Sequence, residues 1–301
     1  MSLILNQSVS NNENNVIINP TVVSTVDILD QRNPYIGASD QYSVITTRDI
    51  LNLLTDMGFT YERMWEQKYK TNSVRKGFGK HALRIRHEKM SFVGLREELV
   101  PQFYLWNSYD RTMRFKFIGG LYRAACANMN AWGTHFFEPL KVTHRNVDYV
   151  ELRALIDDAV ARLQKTNQIV LDLSETILTN DQKYDFAERM ARVRLGNNPN
   201  VSSIKNFREL VDTVRRDADK GDSAWLVANR VQENLLTTNG SQVSLTYSVK
   251  GKTADQKVEV VKTTRNLKSE WMKNKINMAV FDVMKDVIDG KSSDQLILEA
   301  A

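Results

Sequence analysis

An alternation with a period of two does most to limit what this chain can fold into. In His81-Ala82-Leu83-Arg84-Ile85-Arg86-His87, Leu83 and Ile85 fall on one side and Arg84 and Arg86 on the other. That pattern suits a β-strand with one apolar face and does not suit a helix. The surrounding stretch, residues 61–123, holds 14 Lys and Arg against 6 Asp and Glu, a net of +8 in a protein whose total is +5. Extended back to Phe59, it carries 13 of the chain's 26 aromatic residues. A polyanion with exposed bases calls for both ingredients, cations for its phosphates and flat rings for its bases.

The rest of the composition narrows the class. With 301 residues and 42% apolar content, the chain has enough material for one large domain or two small ones. The single Cys126 excludes an intramolecular disulfide framework and fits a reducing cytosol. No run approaches the roughly 20 apolar residues of a membrane span. The first ten residues lack the basic and apolar regions of a signal peptide. A pI near 9.1 permits nucleic-acid binding without proving it.

In chain order, residues 1–40 are expected to form a flexible or loosely attached arm, with an Asn-rich start and a β-branched edge strand at 16–26. Residues 41–289 are read as a single α+β DNA-binding domain, and 290–301 as a C-terminal tail. A strand at 42–45 leads to Thr46 and Thr47, which cap a short helix through Met57 that Gly58 stops. Extended structure follows at 59–69, then a basic tip at 73–80, a strand at 81–89 and a hairpin formed by 100–109 and 112–118. Segments 121–128 and 136–144 continue the sheet. Helices are expected at 150–164, 169–176, 181–195, 203–219 and 223–236, a β pair at 243–249 and 256–264, and a long helix at 265–288. The fold class is α+β: a basic antiparallel sheet packed against a helical layer, closed by a long C-terminal helix.

Catalytic patterns are weak. Gly77-Phe78-Gly79-Lys80 lacks the spacing of a phosphate-binding loop, because His81 follows the lysine where Ser or Thr is needed. The four histidines show no metal-ligand spacing. Asp181-Gln182-Lys183 is a fragment of a nuclease D-x-K pattern without a supporting acidic strand. No nucleophile–base pair can be argued. The reading is therefore non-enzymatic, with no cofactor and no metal.

The DNA-contacting set drawn from the basic stretch begins with Arg75, Lys76, Phe78 and Lys80 at the tip. It continues with Arg84, Arg86 and Lys89 on the following strand, then Tyr104, Trp106, Arg114 and Lys116 on the hairpin, and Arg123 at its end. The hairpin register decides the rings. A two-residue loop at Asp110-Arg111 puts Tyr104 and Trp106 in the core beside Phe115 and Phe117. A three-residue loop sets them opposite Lys116 and Arg114 as a cationic stacking platform. Either register leaves Arg84, Arg86, Arg114 and Lys116 in need of a solvated face.

Asn107-Ser108-Tyr109-Asp110-Arg111 and the Arg123-x-x-Cys126-x-Asn128 that follows it resemble the phage/plasmid-like protein family of mobile elements. That family shows an Asn-Ser-His-Asp-Gly hairpin and then Arg-x-x-Cys-x-Asn. Asp110, Arg123, Cys126 and Asn128 match, while Arg111 replaces the glycine. Asn229 to Asn234 resembles the family's later helix signature, so the resemblance spans about residues 39–236. Within the family, size and charge pattern are most similar to the branch of single-stranded-DNA-binding RNA polymerase cofactors of N-four-like podoviruses. The resemblance implies a protein of the host cytoplasm that coats single-stranded DNA, recruits a phage-encoded RNA polymerase and supports replication, with self-association into a homo-oligomer left open and no membrane partner. Two alternatives remain at this level, a single-strand-annealing recombination protein and a metal-dependent DNA nuclease.

Overall fold

The computed structural model describes residues 11–12, 15–18, 27–70, 73–87, 92–94, 97–123, 126–131, 139–195, 204–236, 244–250, 257–263 and 266–291. The chain starts with β1 (Asn11–Asn12), β2 (Asn15–Ile18), a 3-10 turn (Asp27–Asp30), α1 (Thr47–Asp56), β3 (Phe59–Gln67), β4 (His81–His87) and β5 (Phe92–Gly94). It continues with β6 (Glu97–Asn107), β7 (Phe115–Arg123), β8 (Cys126–Ala131), β9 (Leu140–Val142), α2 (Tyr149–Gln164), α3 (Thr166–Glu175) and α4 (Asn180–Leu195). It ends with α5 (Glu209–Asp212), a second 3-10 turn (Asp217–Asp219), α6 (Ala224–Leu236), β10 (Ser244–Lys250), β11 (Lys257–Thr263) and α7 (Glu270–Ile288). The fold is α+β, with an antiparallel sheet, several helices and a helix near the C-terminus, as the sequence pattern led us to expect.

Two compact units share the chain. The first takes Met1–Phe92, Leu99–Tyr122 and Pro139–Gln164, and the second takes the remainder. In the first unit, strands run in the order β1-β2-β3-β4-β6-β7, with β9 paired to β7. The pairings of β2 with β3, β3 with β4, β4 with β6 and β7 with β9 are all antiparallel. β2 belongs to the residues expected to be a loose arm, yet Ile17 stands opposite Trp65.

The alternation in β4 becomes two faces. Leu83 lies opposite Leu105, and Ile85 opposite Phe103. Phe103 in turn stacks on Phe117 at 4.1 Å between centroids. On the other face Arg84 lies opposite Tyr104 and Ala82 opposite Trp106. Helix α1 packs on β3 with Ile50, Leu51 and Leu54 buried, the 3.6-residue stripe expected of an amphipathic helix. Gly58 ends it at φ 87°, and a β-carbon there would lie 2.8 Å from His87 Nε2, so both the backbone and the space require glycine.

The second unit is built around α6. Trp225, Val227, Ala228, Val231 and Leu235 are all buried, and Trp225 stacks on Phe281 of α7 at 5.8 Å. Helices α3, α4, α5 and α7 pack against α6. β10 and β11 form a separate antiparallel pair from Ser244 opposite Thr263 to Lys250 opposite Lys257.

Two elements are shorter than the sequence pattern suggests. Residues 203–219 form only α5 and a 3-10 turn, because Asn234 Nδ2 captures the carbonyls of Leu210 and Thr213 at 2.9 and 2.8 Å. Arg216 then turns aside to pair with Glu233 at 2.8 Å. Residues 42–45 make a single bridge, Tyr42 to Arg145, in place of a strand. The backbone groups that follow are taken by side chains, Ile45 O by Asn107 and Thr47 N by the Tyr109 hydroxyl. Residues 196–202, between two of the expected helices, and all but the first two residues of the C-terminal tail lie outside the described residues. No described helix is long and apolar enough to cross a membrane.

Candidate nucleic-acid interface

The segment Asn107-Ser108-Tyr109-Asp110-Arg111 leaves β6 and enters a loop of residues 108–114, longer than either hairpin register inferred from sequence. Its side chains hold the loop. Ser108 Oγ accepts from Met113 N at 3.0 Å, and Asp110 Oδ1 accepts from Thr112 N at 3.1 Å. Arg111 sits at φ 64°, the left-handed conformation that glycine adopts most easily. Its guanidinium donates to Gly37 O at 2.7 Å.

Behind the loop lies a buried polar network. The Tyr109 hydroxyl and Asn107 Nδ2 both donate to Thr47 Oγ1, at 2.8 and 3.0 Å. Thr47 Oγ1 donates onward to His81 Nε2 at 2.7 Å, and His81 Nδ1–H donates to Gly79 O at 3.2 Å. Thr46, in the extended N-cap conformation, makes no side-chain cap bond; its hydroxyl lies 3.5 Å from Gln31 O instead. Burial lowers the His81 imidazole to about 4, so the ring is neutral. Burial raises the Tyr109 hydroxyl to about 12, so it stays protonated as a donor. Every proton in the network has one assignment.

The loop also positions the basic tip. Phe78 O accepts from Tyr109 N and Asp110 N at 2.8 and 2.9 Å, and the turn closes at Gly77 with φ 79°. Arg75 approaches Asp110 at 3.9 Å and remains 49% exposed, and Lys76 is exposed. Phe78 is half-buried and meets Tyr35 edge-on at 5.5 Å.

Beside the loop is a shallow cleft of about 370 Å³ lined by Tyr42, Arg111, Thr112, Met113, Arg114, Thr143 and His144. Tyr42 and His144 stack there at 5.3 Å and 10°. Burial holds the His144 imidazole near 4, so it is neutral. Burial, with a contribution from the Asp110 carboxylate, raises the Tyr42 hydroxyl to about 12.

Next to the cleft, cations converge. β9 places Lys141 directly opposite Lys116 on β7, and Arg114, the last loop residue before β7, lies close enough to act on the Lys116 charge. The Lys116 ammonium is held below its usual range, first by burial and then by the charges of Lys141, Arg114 and Lys80. Like charges opposite each other on paired strands destabilise a sheet. Their chemical competence is to receive an anion.

The structure separates the twelve residues singled out from sequence. Arg75, Lys76, Phe78, Lys80, Arg114 and Lys116 lie at or near the loop, with Arg86 on β4, exposed and paired with Glu62 at 2.8 Å. Arg84 does not have the solvated face expected for it; it is 7% exposed and bonded to Glu62 at 2.5 Å, which satisfies the charge inside the sheet. Tyr104 and Trp106 are 0% and 4% exposed, so they form no stacking platform and cannot reach a base. Since Phe103 is the ring that stacks on Phe117, they are buried on the opposite face of β6 and not beside Phe115 and Phe117 as the two-residue loop would place them. Arg123 is 1% exposed and paired with Asp219 at 2.8 Å, so it does not contact phosphate either. Lys89 lies outside the described residues. Sequence reasoning missed Lys141, Tyr42, Arg111 and His144, which only the pairing of β9 with β7 and the bridge from Tyr42 to Arg145 bring to the site. Of the D-x-K fragment, Lys183 is committed to Asp222 at 2.8 Å. Among the described residues, no group of three or more His, Cys, Asp or Glu side chains is placed to hold a metal ion.

Comparison with known proteins covers the same region. Two Escherichia coli K12 proteins, UPF0380 protein YafZ and UPF0380 protein YfjQ, are each 23% identical to the chain over 198 residues, which is 66% of this chain and 69% of theirs. No solved structure matches. Residues 37–273 match a family described as domain of unknown function DUF932, a span that contains the loop, the cleft, the cation cluster and α6, and the chain belongs to that family.

Proposed function

We propose that this chain is a non-enzymatic DNA-binding protein that holds single strands on the first unit, across the 108–114 loop and the cations beside it. The observation that carries this reading is Lys116 facing Lys141 across β7 and β9, with Arg114 and Lys80 close enough to disfavour the Lys116 charge. A strand phosphate placed between them relieves that repulsion and releases counterions. Part-exposed rings at Tyr35, Tyr42, Tyr69 and Phe78 border the same surface, which favours unpaired bases over a closed duplex. They take the role first assigned to Tyr104 and Trp106. Recruitment of a phage-encoded RNA polymerase, support of replication and residence in a host cytoplasm belong to this proposal through the sequence resemblance.

Binding of labelled single-stranded and duplex oligonucleotides across a salt series, with products run on a denaturing gel, tests the proposal. The expected result is tighter binding of the single strand, an affinity that falls steeply with salt, and intact DNA. Equal or salt-independent affinities contradict it. Cleavage that needs magnesium or manganese favours a nuclease, and rapid pairing of complementary strands favours an annealing protein.

A further inference from the structure

The cleft beside the loop has features that the cation cluster alone does not explain. At about 370 Å³ it is larger than a bare phosphate group fills and falls within the roughly 300–1,000 Å³ typical of small-molecule sites. Its lining includes two guanidinium groups, Arg111 and Arg114, and, among the described residues, no carboxylate. The neighbouring Asp110 carboxylate is engaged by Thr112 N and by the Tyr69 hydroxyl. The same lining includes Tyr42, half-buried, with one ring face already stacked on His144.

The walls are fixed before any ligand arrives. Tyr42 is bridged to Arg145, its hydroxyl donates to Tyr109 O at 3.3 Å, and Ser43 N donates to His144 O at 3.0 Å. Arg111 is held by Gly37 O. His144 Nδ1 lies 3.2 Å from Ser43 O and 3.4 Å from Ile45 N. These two contacts hold the ring plane behind Tyr42. A preformed wall lowers the ordering entropy that binding must overcome.

We infer that this cleft holds one nucleotide unit, its phosphate on Arg111 and Arg114 and its base against Tyr42. The inference rests on the single-strand reading and adds a defined subsite to it. Arginine suits the phosphate because its planar fork can donate two bonds at once. An aromatic wall accepts any base because each base presents a π-face. The cleft therefore anchors one nucleotide of a bound strand while the lysines beside it follow the backbone.

Calorimetric titration of the full chain with dTMP, thymidine and inorganic phosphate tests this subsite alongside binding of an oligothymidylate. Arg111→Gly suits the test because glycine is more at ease at φ 64°, so the variant should fold with an unchanged thermal midpoint. The expected outcome is that dTMP binds more tightly than thymidine or phosphate. Arg111→Gly and Tyr42→Leu should each weaken it about tenfold. Failure of dTMP to bind at millimolar concentration, or equal affinity in both variants, overturns the subsite. If the oligothymidylate still binds in that case, the single-strand reading stands without the subsite. If dTMP binds and the oligothymidylate does not, the cleft is a site for free nucleotides and the single-strand reading falls.

Discussion

Arg123 and Lys116 lie on the same strand and were chosen from sequence for the same reason, yet their surroundings are opposite. Arg123 is enclosed and faces a carboxylate, Asp219, at 2.8 Å, while Arg230 of α6 donates to the backbone carbonyl of Asp219 at 3.2 Å. Lys116 is half-buried and faces another lysine. The same contrast separates the two stretches that carry the family resemblance. The polar residues of α6 are matched inside the second unit, Gln232 with Asn277 at 2.9 Å and Glu233 with Arg216. Beside the 108–114 loop, Lys116 stands opposite Lys141, with Lys80 and Arg114 adding positive charge. A cation paired with an anion inside a fold serves stability, whereas a lysine set opposite another lysine on paired strands adds repulsion that a ligand of opposite charge would relieve. Basic residues in a DNA-binding stretch are therefore not equivalent, and their partners sort them.

Breaking the matched side should have the largest effect. Arg123→Ala strands the buried Asp219 carboxylate and should destabilise the protein by about 3–5 kcal/mol, as read by urea unfolding, with little change in DNA affinity for whatever protein remains folded. A loss of affinity without a loss of stability would return Arg123 to the interface. Trp106→Ala should likewise lose about 3–5 kcal/mol of stability and leave the salt dependence of binding as it was. Weaker binding by a variant that melts normally would show that the ring reaches DNA.

Acid probes the buried network between those extremes. His81 and His144 are held at about 4 in the folded chain against 6.5 when free. Between those values the unfolded chain binds the extra protons, so stability is complete above about pH 6.5 and falls as the pH drops toward 4. The loss should reach about 3 kcal/mol for each histidine. Protonating His81 Nε2 would also set a donor against the Thr47 hydroxyl. Urea midpoints measured from pH 7 to pH 4.5 check this, and a flat profile would mean that the imidazoles are not buried as described.

The smallest effect carries a distinctive sign. Lys141→Gln removes one of two facing like charges, so it should raise stability by a few tenths of a kcal/mol while weakening single-strand binding. A variant that loses both, or neither, breaks the distinction between matched and mismatched cations.

Most of the fold was legible, and the part that was not has a common cause. The alternation in His81–His87, the amphipathic α1 with its Gly58 stop and the helices from 149 onward all depend on neighbours along the chain. Tyr104, Trp106 and Arg84 were harder because their exposure depends on what covers the second face of the sheet, which no local pattern reports. Their alternation with apolar residues is the same whether that face is wet or dry. The helix expected over 203–219 failed for a similar reason, since Asn234 intercepts its carbonyls from a distant part of the sequence. Lys141 became visible only when β9 paired with β7. The basic tip was legible because Gly77 and its charged neighbours define it locally.

The measurement closest to the central claim is the slope of log affinity against log salt for single-stranded DNA, in the unaltered protein and in a Lys116→Gln/Lys141→Gln double variant. Each phosphate contact on a single strand contributes about −0.7 to that slope. If the facing lysines contact the backbone, the double variant should have a slope shallower by about 1.4, with stability unchanged or slightly higher. An unchanged slope, with the double variant folded and its affinity intact, would contradict the assignment of the β7–β9 cations to DNA.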